Sequence, residues 1–541
     1  MTANPGKPGL NRARARGGRA SPNEQQSLSF EPLRATADRD QLRNPSQRTD
    51  VEAARGAPLT ATIAAPKART DEETSTMATM TMTMTATHTK DSTPTPLISA
   101  VIACLNVSFD SVAANRGAPG PDRVTIDQLR KHWPAVINDL GNSLADGTYR
   151  VGDIRRVWIP KASGGQRALG IPNVIDRVVQ EAVRRTIEPI FEPTFHESSH
   201  GFRPGRSCHT AVAQARQHLE EGHEWVVDLD LEKFFDSVHH QRLLARIGLR
   251  VNDPALLALI NQMLRAKVVL PDGVVINNEE GVPQGGPLSP LLSNIVLSEL
   301  DEELAQREHR FVRYADDCNI YVRSERAGQR VMESVTRFIE RRMRLKVNRG
   351  KSAVALAGDR HFVGFRIMRN AEDGTTEVIP SQRSVTRLYA RVKELTPRNW
   401  GGPLAVMIAA VNSYLRGWLG FFGICTARVK WTVKKVDSHL RRRLRAVKLK
   451  QHRRRRTISR KLEERGVKRA TAWKVVYAGN KSTWALSGER AVERAYDNAY
   501  FAELGLTSLA ARWSIEVVAP LFASRNPGNR AWPKTGRASG S

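Results

Sequence analysis

Cysteine is scarce in this chain and is not spaced for a common structural role. No Cys-x-x-C pair is present, which argues against a structural zinc site and against a disulfide framework. We also find no signal peptide and no run of about 18 apolar residues, so we expect a reduced, cytoplasmic protein without a membrane partner. The four cysteines are Cys104, Cys208, Cys318 and Cys425.

Acidic residues are in the minority. The 541 residues include 84 Lys and Arg against 55 Asp and Glu, which gives a net charge of +29 and a pI of about 10.6. Such a surface attracts polyanions, and release of counterions makes nucleic-acid binding steeply salt-dependent. The hydrophobic fraction of 40% is sufficient for packed cores in a chain long enough for several domains.

Both ends of the chain are poor in large apolar residues. Residues 1–95 are dominated by Arg, Ala, Gly, Pro, Ser and Thr, and residues 521–541 by Arg, Pro, Gly and Ser. Such segments bury too little apolar surface to offset their chain entropy. The sequence therefore predicts a disordered low-complexity tail at each end.

Two adjacent carboxylates, Asp316 and Asp317, are the first sign of chemistry. They lie between two apolar, β-prone runs within 310–323, a pattern that predicts a hairpin with the charge at its turn. An isolated Asp-Asp is usually a solvated turn. Neighbouring carboxylates repel, however, and a site that keeps both ionised needs a cation.

A third carboxylate, Asp230, lies at the C-terminal end of the predicted short apolar strand 224–230, and 231–238 is predicted to turn into a helix. If this strand lies beside the hairpin, Asp230 faces Asp316. Two Mg²⁺ ions about 3.5–4 Å apart need such a set of carboxylates to clamp the attacking and leaving oxygens of phosphoryl transfer. We predict that Asp230, Asp316 and Asp317 are the catalytic and metal-binding residues.

The order of these motifs resembles the palm of reverse transcriptases. Asp230 is followed after four residues by Phe235, then by Pro-Gln-Gly at 283–285 and by Tyr-Ala-Asp-Asp at 314–317. From about 115 to about 512 the chain resembles a group II intron-encoded reverse transcriptase and maturase, without the paired-Cys endonuclease module that some relatives carry.

The resemblance implies an α+β right-hand polymerase fold. Fingers and palm, with a small antiparallel sheet, are expected over 96–385, and an α-helical thumb or maturase domain over 386–480. A basic, DNA-contacting region is expected over 481–520.

Five further residues are implied to bind the nucleotide. Lys161 and Arg167 flank a Gly pair in a predicted fingers hairpin, where cations can hold a triphosphate. The Phe235 ring would exclude a ribose 2′-hydroxyl. Gln284 and Gly285 would approach the template or the incoming nucleotide. Without the resemblance, the same residues are a solvated basic loop, a core aromatic and a turn.

Within the palm, apolar residues recur at helical spacing over 288–304 and predict a helix. Beyond the palm, the same spacing over 404–422 predicts a helix with a buried apolar stripe. A dense cationic segment follows, which would repel itself without a polyanion. The resemblance implies that its arginines bind nucleic acid: Arg441, Arg442, Arg443, Arg445, Arg453, Arg454, Arg455 and Arg456.

The resulting prediction is an RNA-directed DNA polymerase that copies intron RNA into DNA and binds intron RNA to assist splicing. Its partners would be intron RNA, a DNA primer or target and deoxynucleoside triphosphates, in a bacterial, nucleoid-associated setting; a homodimer is left open. One alternative is a retron or diversity-generating reverse transcriptase, against which the long basic extension counts. The other is a splicing-only maturase, against which the intact carboxylate set counts.

Overall fold

The computed structural model describes residues 96–160 and 165–514. The predicted tails and Lys161 lie outside the described residues. The strands are β1 Ile154–Pro160, β2 Gln166–Pro172, β3 Trp225–Leu229, β4 Val268–Val269, β5 Val275–Ile276, β6 Arg310–Tyr314, β7 Asp317–Val322, β8 Ala353–Leu356, β9 Phe365–Arg369 and β10 Thr376–Pro380.

Helices cover both faces of the sheet that contains β3, and every regular element described after β10 is helical. They are α1 Leu97–Ala103, α2 Leu105–Ala114, α3 Ile126–Ala145, α4 Val174–Phe191, α5 Cys208–Glu220, α6 His240–Gly248, α7 Pro254–Leu264, α8 Ser289–Gln306, α9 Glu325–Phe338, α10 Gln382–Leu395, α11 Leu404–Phe422, α12 Lys430–Gln451, α13 Arg455–Glu464, α14 Arg469–Tyr477, α15 Thr483–Leu486, α16 Arg490–Ala495, α17 Asn498–Glu503 and α18 Leu509–Trp513.

The palm is a four-stranded antiparallel sheet in the order β6-β7-β3-β8. Strands β6 and β7 form the predicted hairpin, in which the pair Tyr314 and Asp317 closes a two-residue turn. The predicted α+β class and the predicted helix over 288–304 are confirmed, the latter as α8.

The fingers are built on a second sheet, in the order β2-β1-β4-β5. Strands β1 and β2 are antiparallel over their full length, from Ile154 opposite Pro172 to Pro160 opposite Gln166. This pairing confirms the predicted fingers hairpin. Asp176, in the first turn of α4, accepts from the Tyr149 hydroxyl and the Gly152 N–H in the segment that leads into β1. Asn173, just before α4, accepts from the Asp122 N–H.

Each face of the palm sheet belongs to a different hydrophobic core. Side chains alternate between the two faces of a strand, so Val227 and Leu229 pack into the core shared with α1–α4 and α6–α8. Val226 and Tyr321 point the other way and pack into the core that contains α11–α18. The sheet therefore joins fingers, palm and thumb through continuous packing.

Helix α11 carries the predicted apolar stripe. The eight apolar residues at helical spacing are all buried: Leu404, Met407, Ile408, Val411, Leu415, Trp418, Leu419 and Phe422. By length and composition alone this helix could also cross a membrane, with a mean hydropathy of 1.3. The expectation that the chain has no such apolar stretch was wrong. Tyr496, Tyr500 and Trp513 pack into the same core as this stripe. The predicted domain boundary at 480 therefore does not divide two hydrophobic cores.

The prediction of a helix over 231–238 is corrected. The segment forms only a single 3₁₀ turn, Phe234–Asp236, preceded by Lys233 in the left-handed region at φ 48°, and α6 begins at His240. Tertiary hydrogen bonds explain the difference. The Phe235 carbonyl accepts from the Val282 N–H at 2.6 Å, and the Val238 carbonyl accepts from that of Gly281 at 2.8 Å.

We predict that Asp437→Ala loosens the C-terminal helices. Asp437 is buried on α12 and accepts from the Ser508 hydroxyl at 2.6 Å and from the Leu509 and Ala510 N–H groups at 3.0 Å. Unsatisfied N–H groups at the start of α18 should cost on the order of 2 kcal/mol. Thermal unfolding should show a midpoint several degrees lower, whereas the exposed neighbour Ser438→Ala should change little. Equal midpoints for the two variants would contradict this role.

Candidate active site

The three carboxylates predicted from the sequence line one cavity of about 880 Å³ between fingers and palm. Four of the five predicted nucleotide-binding residues can be located. Arg167, Phe235 and Gln284 line the same cavity, and Gly285 is next to Gln284. Arg156 and Trp158 also line this cavity and were not predicted from the sequence. Their alternate positions on β1, which place both side chains on one face of the strand, were the signal.

Asp230 is positioned by the palm sheet and by the segment that precedes β8. Strand β3 pairs with β7 through Leu229 opposite Cys318, so the next position along brings Asp230 beside Asp317. The Asp230 N–H donates to the Ser352 hydroxyl at 3.0 Å, and its carbonyl accepts from the Asn348 N–H at 2.8 Å. The backbone of Asp230 is therefore held on both sides.

The turn that carries Asp316 has an unusual backbone. Ala315 lies in the left-handed region at φ 57°, which costs energy for a residue with a Cβ. Gly201 packs against this turn so closely that a Cβ at 201 would lie 2.2 Å from the Ala315 nitrogen. The turn is thus held in place by surrounding structure.

Arg313 anchors the turn from below. Its fully buried guanidinium forms a fork to Asp301 of α8, with Nε 2.7 Å from Oδ1 and Nη2 2.5 Å from Oδ2. Nη1 donates to Asn294 Oδ1 at 3.0 Å and to the Ala315 carbonyl at 2.9 Å, and Nη2 donates to the Ser199 hydroxyl at 2.7 Å. Burial favours the neutral form, but Asp301 outweighs it and raises the pKa of Arg313.

The carboxylates repel one another. Desolvation, together with the charges of Asp316, Asp228 and Asp230, raises the pKa of Asp317 to about 7. Its side chain is nevertheless open to the solvent of the cavity, which screens part of this repulsion. Lys351 offsets some of the negative charge, with Nζ 3.3 Å from Asp230 Oδ2.

Asp228, two residues before Asp230, is engaged by an arginine. Its carboxylate pairs with Arg360, Nη2 to Oδ2 at 2.6 Å. Burial nevertheless raises the pKa of Asp228, against the lowering effect of Arg360. This pairing assigns Asp228 a structural contact rather than an open ligand position.

The donor set suits Mg²⁺. Among residues 96–160 and 165–514, no three His, Cys, Asp or Glu side chains converge closely enough to enclose a metal ion by themselves. Mg²⁺ does not require such a cage, because it keeps several waters and takes oxygens from substrate phosphates. Mutually repelling carboxylates that are open to one cavity fit that mode of binding.

The Gln284 loop is docked on the fingers by its backbone. The Gln284 carbonyl accepts from the Gly170 N–H at 2.7 Å. Gly285 has φ 125°, and a Cβ there would lie 2.3 Å from the Gly170 carbonyl oxygen. Only glycine allows this approach. The nucleotide-binding roles of Arg167, Phe235, Gln284 and Gly285 stay predictions.

The predicted nucleic-acid-binding arginines divide into two groups. For Arg443 and Arg445, the prediction that they bind nucleic acid is corrected. Arg443 and Arg445 are buried: Arg443 donates to Thr396, and Arg445 to the Ser487 carbonyl and to Glu493. They fasten α12 to its neighbours, so neither is available to nucleic acid.

The other arginines are less constrained. Arg442 stacks on Trp484, with Cζ 4.4 Å from the ring centre, and Arg455 donates to the Val476 and Gly479 carbonyls at the C-terminal end of α14. Arg441 is partly exposed. Arg453, Arg454 and Arg456 are exposed, and their role in binding nucleic acid stays a prediction.

Two families match consecutive parts of the chain. Residues 159–367 match reverse transcriptase (RNA-dependent DNA polymerase), and residues 385–464 match the group II intron maturase-specific domain. Protein YkfC of Escherichia coli (strain K12) is 31% identical over 340 residues, which cover 55% of this chain and 87% of YkfC. The chain belongs to the group II intron reverse transcriptase and maturase family.

Two other relatives match over part of their length. Group II intron-encoded protein LtrA of Lactococcus lactis subsp. cremoris is 38% identical over 208 residues, 38% of this chain and 34% of LtrA. Retron Mx65 reverse transcriptase of Myxococcus xanthus is 32% identical over 247 residues, 44% of this chain and 56% of that enzyme. The maturase-specific match is what favours the intron family over the retrons.

We predict that Arg313→Lys displaces the turn that carries Asp316. Lysine cannot replace the fork to Asp301 together with the bonds to Asn294 and Ala315, and breaking a buried ion pair costs about 3 kcal/mol or more. The thermal midpoint should fall, and primer extension should fall at least about tenfold. Arg310→Lys, on the same strand but 60% exposed, is the matched control. Wild-type extension and stability in Arg313→Lys would contradict this role.

We also predict a pH-dependent gain in stability for Asp317→Asn without added metal. The folded-state pKa of Asp317 is raised from 3.8 to about 7, so ionisation destabilises the fold increasingly as pH rises from about 4 to about 7. The variant should unfold at a higher temperature than wild type at pH 8, and the difference should vanish near pH 4. Asp110→Asn, an exposed control on α2, should show no such trend. A difference independent of pH would contradict the repulsion.

Proposed function

We propose that this protein is an RNA-directed DNA polymerase that copies group II intron RNA into DNA and also binds that RNA to assist splicing. The observation that carries the proposal is the cavity in which Asp230, Asp316 and Asp317 lie together with Arg167 and Gln284. The maturase-specific match beside it supports the second activity.

The reaction joins a primer 3′-oxygen to the α-phosphorus of a deoxynucleoside triphosphate and releases pyrophosphate. Two bound Mg²⁺ ions would lower the pKa of the attacking hydroxyl and neutralise charge on the leaving pyrophosphate. Asp230, Asp316 and Asp317 would hold them. Arg167 would orient the triphosphate, and Phe235 would exclude a 2′-hydroxyl. The protein contributes position and charge and forms no covalent intermediate.

Assistance to splicing needs binding alone. RNA held in its folded form by the helical region would supply its own chemistry, so the exposed cations of that region are the relevant groups. A cytoplasmic location next to the bacterial nucleoid is part of this proposal, because both the intron RNA and the DNA target are found there.

Two alternatives stay distinguishable from this proposal. A retron or diversity-generating enzyme would share the polymerase chemistry but has no need for a maturase-specific region. A splicing-only maturase would bind RNA without DNA synthesis. The first alternative is disfavoured by the match over 385–464, and the second by the intact carboxylate set in an open cavity.

We predict that Asp316→Ala reduces DNA synthesis by more than about a hundredfold, because a metal-binding carboxylate is lost. Incorporation of dTTP on poly(rA) primed with oligo(dT), with Mg²⁺ present, measures this loss. RNA binding and the thermal midpoint should stay close to wild type, as should synthesis by the surface variant Asp110→Ala. Near-wild-type synthesis by Asp316→Ala would overturn the assignment. An inactive wild-type enzyme that still binds RNA would support the splicing-only alternative.

A further inference from the structure

Trp431, at the start of α12, is the most exposed aromatic side chain in the described part of the chain, at 73%. A single exposed apolar side chain is common on protein surfaces and indicates nothing by itself. Trp431 is distinguished by the charges around it.

The ring lies among unpaired positive charges. Lys430, Lys434 and Lys435 are exposed, and no carboxylate within 96–160 or 165–514 forms an ion pair with them. Helix α12 contains nine Lys and Arg residues but a single carboxylate, Asp437. That carboxylate is buried and occupied by the start of α18, so it cannot neutralise the exposed lysines.

Helix geometry groups these residues into one surface. Positions 431, 434, 435 and 438 follow the i, i+3, i+4, i+7 spacing of a single helix face, and Lys430 is one turn from Lys434. Lysines in the first turns of a helix are unfavourable, because the N-terminal end carries positive partial charge. The first turn of α12 has no acidic residue and no side-chain cap. A bound anion would supply the negative charge that this end of the helix lacks.

A flat ring surrounded by ammonium groups matches the chemistry of an unpaired nucleotide. A base stacks on an aromatic face whatever its sequence, and the flanking phosphates pair with lysines. In a double helix the base faces are stacked on one another, so no base face is free to stack on an aromatic side chain. The surface is therefore better suited to a single-stranded segment than to a duplex.

We propose that Trp431 stacks on an unpaired base of RNA while Lys430, Lys434 and Lys435 contact the neighbouring phosphates. The proposal rests on the proposed function in one respect, that RNA is the polymer bound. It shifts the expected RNA contact of α12 from the arginine run, where Arg443 and Arg445 are buried, to the opposite end of the helix.

Fluorescence anisotropy with labelled 20-nucleotide oligo(U), at several KCl concentrations and with the full chain, tests the proposal. Trp431→Ala should weaken binding about 5- to 100-fold and leave the salt dependence unchanged, whereas Trp431→Phe should bind close to wild type. The double variant Lys430→Gln/Lys434→Gln should make the salt dependence shallower. The magnitude of the negative slope of log K against log salt should fall by about 1.4, as expected for two lost phosphate contacts on a single strand.

A matched control comes from the palm. Arg326 and Arg330 are exposed on α9 at the same i, i+4 spacing, so Arg326→Gln/Arg330→Gln removes an equal charge from another helix. This variant should bind oligo(U) within about twofold of wild type. An equal loss of affinity in both double variants would reduce the effect to net charge and overturn the proposal.

A blunt RNA duplex and anionic lipid vesicles complete the test. Trp431→Ala should bind the duplex as wild type does, because a duplex offers no free base. Equal loss on duplex and on oligo(U), or loss of vesicle binding with oligo(U) binding intact, would overturn the proposal. Primer extension separates it from the proposed function: Trp431→Ala should keep its rate at saturating primer-template, whereas Asp316→Ala should lose synthesis but retain oligo(U) binding.

Discussion

The buried ion pair between Arg313 and Asp301 is the interaction on which the turn that carries Asp316 depends. Removing two charges from water costs several kcal/mol for each ion, which only a complete set of partners can offset. Here the guanidinium has those partners, and one of them is the carbonyl of Ala315, in the turn itself. Because Asp301 lies on α8, the position of Asp316 is coupled to the packing of that helix and not to the hairpin alone.

The palm sheet connects this turn to both hydrophobic cores. Its two faces are covered by different cores, one shared with the fingers and one with the thumb. The strands next to Asp230 and Asp316 are therefore packed against both cores. Backbone hydrogen bonds from Gly170 to Gln284 and from Val282 to Phe235 hold the remaining wall of the cavity. The fingers, the Gln284 loop and the palm therefore surround the cavity together.

Much of this was predictable from the sequence because it depends on local periodicity. The hairpin at Asp316, the buried stripe of α11 and the convergence of three carboxylates follow from strand alternation, helical spacing and motif order. What failed depends on tertiary contacts. A run of arginines does not reveal that Arg443 and Arg445 point inward, and the hydrogen bonds that keep Phe235 out of a helix come from residues nearly fifty positions away. Arg313 was overlooked because its five bonds connect distant segments.

Anomalous scattering from Mn²⁺, with the full chain bound to an RNA template, a DNA primer and a non-hydrolysable deoxynucleotide, tests the central claim most directly. The account predicts two manganese peaks separated by about 4 Å, each in contact with a carboxylate oxygen of Asp230 or Asp316. Peaks elsewhere in the chain, or carboxylates of Asp230 and Asp316 too far apart to share the metal pair, would contradict it.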